Sequence, residues 1–64
     1  MRLYGNDVCT DCTIAKMLLE KNNIEYVWID VSTISGYEGE IPLLELDDGS
    51  TITGIGNIRR TLSI

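Results

Sequence analysis

The 64-residue sequence predicts a small α/β fold with elements in the order strand, helix, strand, loop, strand, strand, helix. Three observations predict it. Apolar residues recur at helical spacing between positions 10 and 22. Strand-forming residues precede and follow that segment. An Asp-Gly turn at Asp48-Gly49 then separates two further short strands. A chain of this length predicts a single domain, residues 1–64.

The first 31 residues predict a β-α-β unit. Arg2–Tyr4 form the first strand, which ends at Gly5. Thr10–Asn22 form the helix, because four apolar side chains share one of its faces. Glu25–Val31 contain aromatic and β-branched residues and predict the second strand. The residues predicted to share the apolar face of the helix are Ile14, Ala15, Leu18 and Leu19.

The connection between the second and third strands is short and polar. Ser32–Glu40 are rich in Ser, Thr and Gly and predict a loop or one short helical turn. Ile41–Leu46 then predict a third strand that is entered through Pro42, since proline belongs at the start or edge of a strand. The connection therefore lacks the length and pattern of a full helix.

The last part of the chain predicts a hairpin followed by a helix. Ser50–Thr53 form the fourth strand after the Asp-Gly turn. Gly54–Asn57 form a second turn, in which Gly56 or Asn57 caps a helix that runs through Leu62. Ile58 is four residues before Leu62, so both side chains are expected to face the sheet.

Few topologies accommodate this order, and it favours a four-stranded mixed sheet ordered 2-1-3-4, a minimal thioredoxin-like arrangement. The loop of nine residues must cross about 10 Å, two strand spacings. At about 3.3 Å per residue it reaches much further. One sheet face then has no covering helix, so we expect partly exposed apolar residues and a monomer or weak dimer.

Composition excludes several classes of function. Five basic against ten acidic residues give a net charge of -5, which disfavours nucleic-acid binding. No apolar stretch approaches the roughly 20 residues of a membrane span, and the first residues do not resemble a signal peptide. We therefore expect a cytoplasmic protein without membrane or nucleic-acid partners. The chain has no His, which removes Cys-His and Ser-His pairs and most types of zinc site.

Cys9 and Cys12 are the only cysteines and have the spacing C-x-x-C. They follow a predicted strand and open a predicted helix, where unpaired amides and the helix dipole stabilise a thiolate at Cys9. Cys12 follows after one helical turn, which brings its sulfur near the first. Cys9 is thus suited to attack a disulfide and Cys12 to resolve the mixed disulfide. A C-x-x-C in a β-α-β pattern predicts dithiol–disulfide exchange.

Two alternatives to redox chemistry remain open for this pair. The cysteines supply half of a four-ligand metal or iron–sulfur site, so such a module requires a dimer or an external thiol. No metal site is predicted within one copy of the chain. In the second alternative, the two cysteines are buried and chemically inert.

Three segments of the sequence resemble the glutaredoxins. Tyr4–Cys12, followed by Ala15-Lys16 and Leu18-Leu19, resembles their active-site segment. Ile41-Pro42 resembles their cis-proline segment, and Thr53-Gly54-Ile55 the glycine turn after the fourth strand. The chain is also similar to the NrdH-type redoxins, the small electron donors of ribonucleotide reductase.

The resemblance implies roles for these residues. Cys9 is the nucleophile and Cys12 the resolving thiol. The Ile41–Pro42 bond is cis, and the backbone of Ile41 pairs with an incoming substrate chain. Thr53, Gly54 and Ile55 complete the substrate-binding residues. The substrate is a small or protein disulfide, such as that of ribonucleotide reductase, and no cofactor is permanently bound.

The chain also departs from the usual glutaredoxin pattern. Thr10-Asp11 replaces the usual Pro-aromatic pair between the cysteines, so these two residues are expected to tune the thiols. Asn6 stands where many relatives have Lys, and Gly56 or Asn57 where they have an acidic residue. Polar contacts to glutathione are thereby altered. Glutathione and a thioredoxin-reductase-type system are both candidate electron donors.

Overall fold

Two helices lie against one face of a four-stranded sheet in the computed structural model, which describes residues Met1–Ile64. The strands run in the order β2-β1-β3-β4. β1 pairs with β2 in parallel and with β3 antiparallel, and β3 pairs antiparallel with β4. The predicted α/β fold and sheet order are therefore confirmed. The elements are β1 (Arg2–Gly5), α1 (Thr10–Lys21), β2 (Val27–Asp30), a 3-10 turn (Val31–Thr33), β3 (Leu43–Glu45), β4 (Thr51–Thr53) and α2 (Ile55–Leu62).

The core lies between the sheet and the two helices. Leu3 and Leu44 are opposite one another in β1 and β3 and face the helices. Full burial of each such side chain contributes about 1.5–3 kcal/mol. The five core residues, all without exposed surface, are Leu3, Ala15, Leu19, Leu44 and Ile58.

The apolar face of α1 is narrower than predicted. Ala15 and Leu19 are buried, but Ile14 is 39% exposed and Leu18 is only half-buried. The buried stripe instead includes Cys12, which precedes Ala15 by three residues on the same face of the helix. The inclusion of Ile14 in this face was wrong because it lies one residue to the side of that stripe.

Strands β2 and β3 are also shorter than predicted. β2 covers Val27–Asp30 because only the four residues of β1 are available to pair with it. β3 covers Leu43–Glu45, and the predicted strand residues Ile41 and Pro42 precede its ladder.

The start of α2 differs from the predicted cap. Gly54, at φ +85°, is the N-cap, and the helix begins at Ile55 rather than after Gly56 or Asn57. The amide of Gly54 donates to the carbonyl of Pro42 over 2.9 Å, which fixes Gly54 to the sheet, so the cap lies two residues before Gly56 and three before Asn57. Ile58 and Leu62 of this helix pack on the core, as predicted.

The connection after β2 is a loop with one helical turn, as predicted. The carboxylate of Asp30 accepts the amide of Ser32 over 2.9 Å and thereby begins the 3-10 turn. Further on, the ring of Tyr37 stacks on Tyr4, with centroids 6.2 Å apart. Tyr4 alternates with the core residue Leu3, so this stack lies on the face without helices. The same face leaves Val27 of β2 60% exposed.

Candidate redox site

Cys9 and Cys12 occupy the N-terminus of α1, and both are free thiols. Cys9 is the N-cap, with an extended backbone at φ -88° and ψ 112°. Its Sγ accepts a hydrogen bond from the amide of Cys12 over 3.2 Å. An N-cap acceptor satisfies one of the amides that a helix leaves unpaired.

A turn at Asn6 delivers the chain from β1 to this position. The side-chain oxygen of Asn6 accepts the amide of Val8 over 3.1 Å. Its carbonyl accepts the amide of Cys9 over 3.4 Å. The two hydrogen bonds fold the link between strand and helix, so Cys9 is half-buried while Val8 is exposed.

Cys12, the second residue of the pair, lies in a close-packed position against β1. A Cβ built on Gly5 would be 2.7 Å from the Sγ of Cys12 and 2.8 Å from the ring of Trp28. The strand, the sulfur and the indole therefore meet where only a glycine fits. Sequence reasoning assigned Gly5 only to the end of a strand; the signal that could have found it is a glycine directly before a C-x-x-C turn.

The two thiols differ in their surroundings. Burial raises the pKa of the Cys12 thiol to about 11, and its hydrogen bond with Cys9 adds to the rise. The amide of Asn6 opposes this rise, and the negative charge of Asp11 adds to it. At neutral pH Cys12 therefore carries its proton and has no exposed surface, whereas Cys9 is accessible.

The charged residues near the pair are acidic and exposed. Asp7 and Asp11 both face solvent, as does Thr10. The two arginines of α2 are engaged elsewhere. Arg59 donates to the carbonyl of Ile64, and Arg60 to the side chain of Asn57 over 2.8 Å.

The nearest lysine in sequence is Lys16, four residues after Cys12 on α1. The ammonium of Lys16 lies 4.2 Å from the centre of the Trp28 ring, in cation–π contact, and the residue is half-buried. The contact forms because β2 places its only aromatic residue, Trp28, beside α1.

The predicted substrate-binding residues lie at the same end of the sheet. Tyr4 is opposite Leu43, which places Pro42 level with Gly5, where β1 leads into the cysteine turn. The Ile41–Pro42 peptide bond is cis, as the resemblance implied. Thr53 is opposite Leu43, and Gly54 and Ile55 follow it.

Ile41 differs from its neighbours in its hydrogen bonding. Neither its amide nor its carbonyl bonds to another group of the chain. Pro42, by contrast, is buried and accepts the amide of Gly54. A second polypeptide chain therefore has one free donor and one free acceptor to pair with at Ile41.

The residues of one chain do not form a complete metal site. No group of three or more His, Cys, Asp or Glu side chains is placed to hold a metal ion. The cysteine pair thus has no third protein ligand in one copy of the chain.

No helix is long and apolar enough to cross a membrane.

A thioredoxin-like sheet with two neighbouring thiols at a helix N-terminus is typical of thiol–disulfide redox proteins. The family model for glutaredoxin matches residues 2–45, more than half of the 64 residues, and the chain belongs to the glutaredoxin family. The match includes the cysteine pair and the cis-proline segment and ends in β3. No curated protein and no solved structure matches the chain significantly.

Proposed function

We propose that the protein is a dithiol–disulfide oxidoreductase, an electron carrier that reduces protein or small-molecule disulfides. One observation supports this most strongly: the Sγ of the half-buried Cys9 caps α1 and accepts a hydrogen bond from the amide of Cys12, whose own side chain is fully buried. A substrate thus reaches the sulfur of Cys9 first, and the sulfur of Cys12 lies one helical turn away for the later step. Residues 1–64 act as one domain, and the site needs no second copy of the chain.

The first step is attack by the Cys9 thiolate on one sulfur of a substrate disulfide. The substrate S–S bond breaks, a mixed disulfide forms at Cys9, and the other substrate sulfur leaves as a thiolate. Cys12 remains a thiol in this step, because burial raises its pKa to about 11. The nucleophile and the resolving thiol are therefore distinguished by burial.

The second step is resolution by Cys12. Its proton passes to a substrate thiolate, since the chain has no His to accept it. The Cys12 sulfur then attacks Cys9, and the substrate leaves with both of its sulfurs reduced. The protein retains a Cys9–Cys12 disulfide and has transferred two electrons. Two electrons from a reductant restore the dithiol.

Substrate binding uses the end of the sheet beside the pair. The free amide and carbonyl of Ile41 pair with the substrate backbone, as in strand addition. Pro42, Thr53, Gly54 and Ile55 complete this surface. Thr10 and Asp11 tune the thiols, Asp11 through its charge.

The family implies a glutathione-type reductant. The residues around the pair disfavour glutathione as the only electron donor, because the exposed carboxylates of Asp7 and Asp11 repel the carboxylates of glutathione. A thioredoxin-reductase-type system is therefore the second candidate donor. We infer a cytoplasmic disulfide protein, of the kind that ribonucleotide reductase represents, as the physiological partner.

Paired turnover assays test this function. The protein is supplied with hydroxyethyl disulfide and NADPH, with either glutathione and glutathione reductase or thioredoxin reductase. NADPH consumption with at least one donor is expected, and Cys9→Ser is the matched inactive control. Absence of turnover with both donors, from a protein that is coloured as isolated, would instead favour a metal or iron–sulfur module formed by two copies.

A further inference from the structure

The loop between β2 and β3 places the side chain of Tyr37 across the face of the sheet that no helix covers. The ring of Tyr37 stacks on that of Tyr4, with an interplanar angle of 13°. Because Tyr4 belongs to β1, the central part of the sheet anchors one side of Tyr37.

The hydroxyl of Tyr37 is anchored at the other end of the loop. It donates a hydrogen bond to the carbonyl of Glu40 over 3.2 Å. Gly39 packs so closely on it that a Cβ there would be 2.7 Å from the hydroxyl oxygen. Tyr37 therefore connects β1 to the backbone immediately before Ile41.

Little else holds this stretch of chain. The bond from Tyr37 is the only hydrogen bond that residues 38–41 make. Glu38, Gly39 and Glu40 are exposed. The next fixed point is Pro42, which is buried and bonded to Gly54.

We propose that Tyr37 is a positioning residue for polypeptide substrates: its stack and its hydroxyl hold the backbone at which Ile41 pairs with the substrate chain. The inference rests on the proposed function. Burial raises the pKa of Tyr37, so its hydroxyl remains a donor well above neutral pH. A small disulfide has no backbone to pair with Ile41, so its reduction does not depend on Tyr37. The loop thus favours disulfides of polypeptides over small disulfides.

The chain offers a matched pair of variants for the test. Tyr37→Phe keeps the ring and removes the hydroxyl. Tyr26→Phe removes a comparable hydroxyl, which donates to the carboxylate of Glu20 over 3.0 Å, outside the proposed site. Single-turnover rates of the pre-reduced protein are measured against concentration for a synthetic peptide disulfide and for hydroxyethyl disulfide.

For Tyr37→Phe we expect an about fivefold higher half-saturating concentration of the peptide, the effect of one lost hydrogen bond. The limiting rate is unchanged, because only uniform binding is lost. Hydroxyethyl disulfide reacts as with the wild type, and Tyr26→Phe changes neither substrate. Gly39→Ala is expected to give the same selective effect, since its methyl group displaces the hydroxyl.

Two results would overturn the assignment of Tyr37. One is an unchanged half-saturating concentration of the peptide in both Tyr37→Phe and Gly39→Ala. The other is an equal loss with both substrates, which indicates a general structural defect. A wild-type protein that reduces neither disulfide refutes the proposed function itself and is thereby distinguished from a failure of the Tyr37 assignment alone.

Discussion

The amide of Cys12 donates to the sulfur of Cys9 over 3.2 Å, so a hydrogen bond joins the two residues of the redox pair before any covalent bond does. The bond runs from the backbone of the buried residue to the side chain of the accessible one. It satisfies an amide that the N-terminus of α1 would otherwise leave unpaired.

The first prediction concerns the separate roles of the two sulfurs. Cys9→Ser is expected to abolish disulfide reduction, because the accessible sulfur is lost. Cys12→Ser is expected to accumulate mixed disulfides at Cys9, because nothing resolves them. Mass spectrometry of each variant after mixing with a disulfide measures the adducts. Adducts on Cys9→Ser in place of Cys12→Ser would reverse the two roles.

The second prediction concerns the close approach at Gly5. Gly5→Ala places a methyl group against the Cys12 sulfur and the Trp28 ring, at 2.7 and 2.8 Å. Such overpacking costs about 1–3 kcal/mol of folding free energy. Urea unfolding of the reduced protein measures it.

Gly56→Ala is the matched control, since its Cβ would meet nothing within 4 Å and its backbone is helical. It is expected to stabilise the fold by about 0.5–1 kcal/mol. Equal midpoints for Gly5→Ala and the wild type would contradict the packing described around Cys12.

The third prediction concerns alkaline pH. The folded state raises the pKa of Cys12 from 9.0 to about 11. Its contribution to stability is therefore complete below pH about 9 and is lost as pH rises toward about 11. Denaturant unfolding of the reduced protein across this range measures the loss. Cys12→Ala is expected to lose less stability over the same range, because the thiol with the raised pKa is absent. Parallel pH profiles would contradict the assignment to Cys12.

The fourth prediction concerns redox poise. The carboxylate of Asp11 raises the pKa of Cys12, which disfavours the Cys12 thiolate and makes the dithiol easier to oxidise. We expect a potential near the thioredoxin value of about -270 mV, below the glutaredoxin range of about -200 to -230 mV. Asp11→Asn is expected to raise it by about 10–20 mV, the size of an exposed charge effect.

Equilibration with a glutathione redox buffer measures this potential. Glu25→Gln, which removes an exposed charge before β2, is the control and is expected to leave it unchanged. A wild-type potential above about -200 mV, or a fall in Asp11→Asn, would refute the charge argument.

Local patterns were enough to predict the sheet order and the position of the cysteine pair. The β-α-β unit around Thr10–Lys21 and the Asp-Gly hairpin each depend on neighbouring residues, and together they leave few topologies. The N-cap position of Cys9 follows from the same local pattern. The start of α2 was not predictable in this way, because Gly54 is fixed by the carbonyl of Pro42, twelve residues earlier.

The surroundings of the site were hidden from the sequence for the same reason. Tyr37 meets Tyr4 across the sheet face, and Trp28 and Cys12 each lie close to Gly5. These contacts join residues far apart in the chain, and no local spacing encodes them. In the sequence Tyr37 is simply an aromatic residue in a polar loop. Its role becomes visible only in the structure, where no helix covers this face of the sheet and Tyr37 packs on it.

In the proposed function Cys12 is at once a fully buried residue and a reacting group. Oxidation and unfolding therefore form a closed thermodynamic cycle. The difference in unfolding free energy between the disulfide and dithiol forms equals the difference in potential between the folded protein and its unfolded chain, at about 1.4 kcal/mol for each 30 mV. Repacking of the interior around this sulfur consequently changes the electrochemistry of the protein, even where no charge is altered.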